Sequence, residues 1–294
     1  MKILKANEEL ALTKYLYYLM QTIHCDHDTH KRYWIQTYSK IKVAIPDVTE
    51  QQRIVTKIEE LFSKLDKGIE ELNKIKEQLK IYRQAVLKEA FEVVTNEVFM
   101  DSVSNMIDPH PSHRTPPVCD DGIPYVGIGD IDYENRKIDF INARKVSQEV
   151  LIDHTRRYEL QNGDFIMGKI GTIGKPFLLP SPQKYALSAN VILIQPLTHI
   201  INPKFLYWQF ASPFITKQLT LGATATSQPA FGITKARLLK IKMCDMTKQH
   251  EIVDIIEKRL SVCDKIVQTV NESLQKAESL KQSILKQAFE GKLV

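Results

Sequence analysis

Cysteine is scarce and unpatterned in this 294-residue chain. Cys25, Cys119, Cys244 and Cys263 show no CxxC spacing and no even framework, which argues against a disulfide scaffold. With no secretory signal in view, a reducing cytoplasm is the expected compartment. Long hydrophobic runs are missing too. The apolar stretch at 191–194 is short and β-branched and reads as a buried strand, far from the roughly 18–20 residues of a membrane helix. No membrane association is expected. The glycines form no nucleotide fingerprint. Gly168, Gly171 and Gly174 lie three apart, where a dinucleotide turn needs G-x-G-x-x-G, and Gly174-Lys175 is followed by Pro176 where a phosphate loop needs Ser or Thr. A methyltransferase tetrapeptide of the Asn-Pro-Pro-Tyr kind is also absent. No cofactor and no catalytic residue are therefore expected. Excess charge of one sign is small: Lys and Arg number 40, Asp and Glu 35, for a net charge of +5. That permits a polyanionic partner without demanding one.

What is present is a segment that occurs twice. Residues 47–92 align with 245–290 at a constant offset of 198 (245 − 47), with 17 of 46 positions identical and no gap. Gln51 and Gln249 are among the identities, as are Asp47 and Asp245, and the run Lys88-x-Ala90-Phe91-Glu92 returns as Lys286-x-Ala288-Phe289-Glu290. Identity at this level marks an internal duplication. Both copies are proline-free and apolar every three or four residues, the first at Ile58, Phe62, Leu65, Ile69, Leu72, Ile75, Leu79, Tyr82 and Val86. This is the seam of a coiled coil, and a 46-residue helix is about 70 Å long. Two such helices in one chain are expected, on economy, to pack on each other; the seams give no direct orientation, and the arrangement expected is an antiparallel coiled coil. Asp47 and Thr49 are placed to cap the first helix, with Gln52 completing a capping box.

Between the repeats the period drops from 3.6 to 2, and proline and glycine become frequent. Strands are predicted at 123–128, 164–167, 177–179 and 191–194, and a helix at Pro203–Phe210 with Asn202 as its cap. The fold class expected is α+β, a domain with a curved, mainly antiparallel sheet plus the two long helices. The boundaries are 1–46, 47–96, 97–244 and 245–294. The duplication extends weakly further. Lys14-Tyr15-Leu16-Tyr17-Tyr18 matches Lys204-Phe205-Leu206-Tyr207-Trp208 at offset 190 (204 − 14), and Lys40-Ile41-Lys42-Val43 matches Leu238-Leu239-Lys240-Ile241. Residues 1–46 thus correspond only to the last part of the 97–244 domain. A piece this short cannot enclose its own core, so it should fold poorly alone or be completed by something else.

This plan resembles the specificity subunit of type I restriction–modification systems. HRTP at 113–116 followed by GIPYVGIGD at 122–130 looks like the opening of a target recognition domain. GDFIMGKIGTIGK at 163–175 resembles its central strand and glycine loop, NPKFLY at 202–207 its late helix, and the stretch from Gly222 to Pro229 the loop before its last strand. The resemblance implies a non-catalytic subunit that reads one half of a bipartite site in double-stranded DNA. Its helices would dock methyltransferase subunits, and the complex would recruit a restriction subunit that translocates DNA. The short N-terminal piece implies a half-type or truncated subunit, acting as a homodimer or with a second half-type chain.

Groove reading needs cations, amides and hydroxyls. The residues proposed for it are His113, Arg114, Thr115, Lys169, Thr172, Lys175, Thr226, Ser227 and Gln228, with His110 a lesser candidate. Two rival functions remain: a coiled-coil scaffold whose globular domain binds protein, and a silent fragment that donates its recognition domain by recombination. The cluster His24-Cys25-Asp26-His27-Asp28-x-His30 has zinc-like ligand types but lacks the two separated pairs of a structural site, so no metal is expected.

Overall fold

A computed structural model describes residues 5–23, 38–112, 114–170, 172–181, 184–223 and 230–293. The chain divides into two compact units, residues 1–80 with 264–294, and residues 81–263. Two long helices contribute to both: α2 (Val48–Glu92) and α7 (Met246–Phe289).

In the first unit, Ile54, Val55 and Ile58 from the first turns of α2 are buried with Ile284, Leu285 and Ala288 from the last turns of α7. A short helix, α1 (Thr13–Met20), adds Tyr15 and Leu19 to this cluster. In the second unit the last turns of α2, through Val86, Leu87 and Phe91, share a core with Ile252, Val253, Ile256 and Leu260 from the start of α7. First turns meet last turns in both units, so the helices pack antiparallel; the repeated seam predicts that they pair and leaves their direction to the structure. The seam is not uniformly dry. Ile75, Tyr82 and Leu280 are exposed. A two-helix layer has no second layer to cover such positions, and Tyr82 is instead roofed by Arg259, whose guanidinium lies 5.5 Å from the ring centre and also pairs with Glu89 at 2.8 Å.

Asp47 caps α2, its Oδ1 accepting the Glu50 amide at 3.0 Å, and Asp245 caps α7 in the same way with the Lys248 amide at 2.9 Å. The predicted capping box does not form. Gln52 donates to Thr56 Oγ1 at 3.3 Å, because Asp47 already satisfies the helix start. The neighbouring Gln51 is the buried residue.

The rest of the second unit carries β1 (Glu97–Phe99), β2 (Ser104–Ile107), β3 (Ile123–Val126), β4 (Ile131–Asp132), β5 (Lys137–Ile138) and β6 (Lys145–Val146), then α3 (Gln148–Thr155). There follow β7 (Phe165–Gly168), β8 (Phe177–Leu178), β9 (Ala186–Leu187) and β10 (Val191–Pro196). Next come α4 (Pro203–Phe210), α5 (Pro213–Gly222), α6 (Ile233–Arg237) and β11 (Lys240–Lys242). Strands pair in the order β2-β10-β7-β8, all antiparallel, with β6-β3-β9 and the pairs β1-β11 and β4-β5 beside them. Only β3 and β9 run parallel among the described strands. β10 is apolar on both faces, with Val191 to Ile194 fully buried, as its continuous β-branched run predicts. Asn202 caps α4 as expected, accepting the Lys204 and Phe205 amides at 2.9 and 3.2 Å.

Candidate nucleic-acid interface

The register of β10 decides where the loops go. β2 and β7 both run antiparallel to it, with Ile107 opposite Leu193 and Gly168 opposite Val191. Both strands therefore end toward the start of β10, and the loops that follow them leave the same edge of the sheet. The loop after β2 holds Arg114 and Thr115. The loop after β7 holds Lys169, Thr172 and Lys175. Sequence separation hides this convergence.

Two bonds lock that edge. The Lys169 amide donates to Asn190 O at 2.8 Å, and the Phe231 amide donates to Lys169 O at 2.9 Å. Ile170 forms a bridge to Ala230, so the segment that returns toward α6 is stitched to the same loop. Glycine is required at two points in it. A Cβ on Gly168 would lie 1.7 Å from Thr172 O, and Gly174 has φ +76° with Leu219 Cδ1 2.3 Å from where its Cβ would be.

The proposed residues fall into four groups. Arg114, Thr172 and Lys175 are exposed. Arg114 and Lys175 have no carboxylate partner among the described residues, so both cations are available to a polyanion. Lys175 Nζ lies 5.4 Å from the Tyr133 ring centre, and the Tyr133 hydroxyl donates to Lys175 O at 3.3 Å, which steadies the loop. Burial pushes that phenol up to about 12, so it stays a donor. Thr115 lines a cavity of about 210 Å³ with Tyr125, Ile170, Ser188, Ala189 and Asn190. Lys169 differs. Its Nζ is 2.7 Å from Asp108 Oδ2 and its side chain is only 14% exposed. It ties the two loops together and is already neutralised. His113, Thr226, Ser227 and Gln228 lie outside the described residues, as does the His24–His30 cluster.

His110 supports the site from behind. One ring nitrogen, Nε2, lies 2.8 Å from Arg114 O and 2.9 Å from Ser112 Oγ; the other, Nδ1, lies 3.1 Å from His154 Nε2. His154 is fully buried and its Nδ1 is 3.1 Å from the Tyr158 hydroxyl. Facing nitrogens at this distance need one N–H and one lone pair between them. Burial, aided by the charges of Arg157 and His110, lowers His154 to about 4. The sequence reading missed Asp108, His154, Ser188 and Asn190. None is periodic or clustered, and only the fold brings them to this edge.

Comparison with known proteins identifies the domain. Residues 122–276 match the model of the type I restriction modification DNA specificity domain, more than half of the chain. The chain belongs to this family. Among relatives, the type I restriction enzyme EcoBI specificity subunit of Escherichia coli is 25% identical over 285 residues, covering 88% of this chain and 60% of that protein. The EcoKI subunit of Escherichia coli K12 is 24% identical, covering 87% and 59%. The specificity-domain chain described here thus spans about three-fifths of the length of these relatives. A chain from a solved type I R-M system superposes with a TM-score of 0.70 at 15% identity, covering 98% of this chain and 74% of that one. The HsdS subunit from Thermoanaerobacter tengcongensis gives 0.51 at 16% identity, covering 98% and 73%. Both share the α+β fold with long paired helices.

Proposed function

We propose that this chain is a non-catalytic, sequence-reading subunit of a type I restriction–modification complex. Its recognition domain, residues 97–244, contacts one half of a bipartite site in double-stranded DNA. The reading rests above all on one observation: Lys175, inside the segment that matches the specificity-domain family, and Arg114, eight residues before that segment (122 − 114), have no carboxylate partner among the described residues and stand on loops that leave the same end of the sheet. Phosphate contacts from these cations position the duplex, and Thr115, Thr172 and the 226–228 segment supply groups for groove contacts. The paired helices α2 and α7 offer the docking face for methyltransferase subunits, and the assembled complex directs adenine methylation and, with a restriction and translocation subunit, cleavage.

Residues 1–46 correspond to the end of a first recognition domain, and the other half-site is read by a second recognition domain, in this chain's full protein or in a partner. The complex acts in the cytoplasm. The test is titration of the intact chain against duplex DNA at several salt concentrations. Affinity falling linearly on a log–log plot with salt supports the reading. Salt-insensitive binding, or none with modification subunits present, refutes it.

A further inference from the structure

The two units repeat each other in detail, and the repetition stops at one edge. In the second unit the buried Gln249 side chain accepts the Asn202 amide at 2.7 Å and donates to Cys244 O at 2.8 Å. In the first unit Gln51 accepts the Leu12 amide at 2.8 Å and donates to Pro46 O at 2.8 Å. The ion pair Lys204–Glu257 at 2.9 Å has its twin in Lys14–Glu59 at 2.6 Å. Phe205 meets the Phe91 ring edge-on at 5.4 Å, and Tyr15 meets Phe289 in the same way at 5.2 Å. So α1 sits in the first unit as α4 sits in the second.

The difference lies at β11. In the second unit β1 pairs with it, Val98 opposite Ile241, and the pairing is flanked by bonds from the Met100 amide to Leu239 O and from the Met243 amide to Asn96 O, each 2.9 Å. Leu239 and Ile241 are 4% and 0% exposed. Their counterparts at offset 198 are Ile41 and Val43 (239 − 198, 241 − 198), which are 38% and 40% exposed, and Ile45 in the place of Met243 is 44% exposed. Among the described residues, no backbone hydrogen bond holds the Val43 or Ile45 amide. A groove of about 930 Å³ runs along this edge, lined by Ile41, Val43, Ile45, Tyr15, Leu19 and Phe289. It is continuous with the buried cluster of the first unit.

We propose that the edge formed by residues 41–45 is a strand acceptor. It takes an extended segment, antiparallel, with the pattern of residues 94–100: apolar at the positions of Val94, Val98 and Met100, and acidic at that of Glu97. Charge supports this choice of occupant. Glu97 pairs with Lys242 at 3.0 Å and Lys240 at 3.7 Å, and Lys42, the counterpart of Lys240, lines the groove. Strand addition supplies main-chain hydrogen bonds for affinity and side-chain pockets for selectivity. The inference rests on residues 1–46 being the end of a recognition domain, and it names the chemistry of what completes them.

The test uses the intact chain and a synthetic peptide spanning residues 93–104, followed by hydrogen exchange at the Val43 and Ile45 amides. Saturable binding that slows both amides at least tenfold is expected. The same peptide carrying Val98→Pro, which cannot donate to the ladder, should not bind, and neither should the wild-type peptide to a Val43→Pro chain with unchanged helical circular dichroism. Absence of binding overturns the proposal, as does binding that survives Val98→Pro. Protection of Val43 in the chain alone that rises with its concentration also overturns it, since the occupant is then a second copy pairing edge to edge. DNA binding by the chain is measured separately, so failure here leaves the proposed function standing, and its failure leaves this edge to be judged by the peptide.

Discussion

Lys169 Nζ stands 2.7 Å from Asp108 Oδ2, and the two side chains, 61 residues apart in sequence, are 14% and 18% exposed. The pair joins the loop after β2 to the loop after β7, the two loops that carry the proposed DNA contacts. Asp108→Asn strands a largely buried ammonium and should cost about 2–4 kcal/mol, whereas adding Lys169→Met to it should recover most of that loss. Denaturant unfolding of the two single variants and the double variant measures the coupling. Additive losses would mean that the pair does not hold the loops.

Gln51 and Gln249 make the same prediction in two places. Each fully buried amide bridges a helix start to the segment packed on it, and Leu at either position leaves backbone groups unpaired. Gln249→Leu should destabilise the second unit by about 2 kcal/mol or more. Gln51→Leu should speed exchange of the Leu12 amide while leaving amides of β10 unchanged. Hydrogen exchange resolved by residue checks both.

These glutamines also show what a sequence can disclose. Their recurrence at offset 198 was visible, and so was the long-helix pairing, because periodicity and duplication are local or exact signals. Asn202 and Pro203 announced α4 for the same reason: a cap and a fixed φ act within one turn. The role of Gln51 was not visible. Capping rules favour Gln52 on spacing, and burial of its neighbour depends on where residues 10–12 lie. Lys169 illustrates the limit at the site. A lysine in a glycine loop reads as a phosphate donor, yet the register of β10 delivers Asp108 beside it, and no local pattern specifies that register.

Acid should weaken the fold through His154. Its folded-state value, about 4, lies below the ordinary 6.5, so the unfolded chain takes up a proton first as pH falls. Stability from this group is complete above about pH 6.5, declines between 6.5 and 4, and is flat below. The loss should be on the order of a few kcal/mol at most. Chemical denaturation at pH 7.5, 5.5 and 4.5 should show that slope in the native chain and a shallower one in His154→Gln.

Arg114 and Lys175 are the described cations proposed to meet phosphate. Arg114→Ala and Lys175→Ala should each weaken duplex binding at every sequence and reduce the log–log salt slope by about 0.9. Lys169→Met, whose charge is already satisfied, should change the slope far less once paired with Asp108→Asn. Fluorescence anisotropy across a salt series checks all three. A slope unaltered by Arg114→Ala and Lys175→Ala together would move the phosphate contacts elsewhere on the domain.

The most direct test is genome-wide mapping of methylated adenine in cells that express this chain with a type I modification subunit, against cells with the modification subunit alone. The account predicts a bipartite motif that appears only with the chain and is lost with Arg114→Ala and Lys175→Ala combined. Inverted copies in its two halves would identify a homodimer, and unlike halves a second chain. No chain-dependent motif, in cells where the chain co-purifies with the modification subunit, would contradict the claim that it reads DNA.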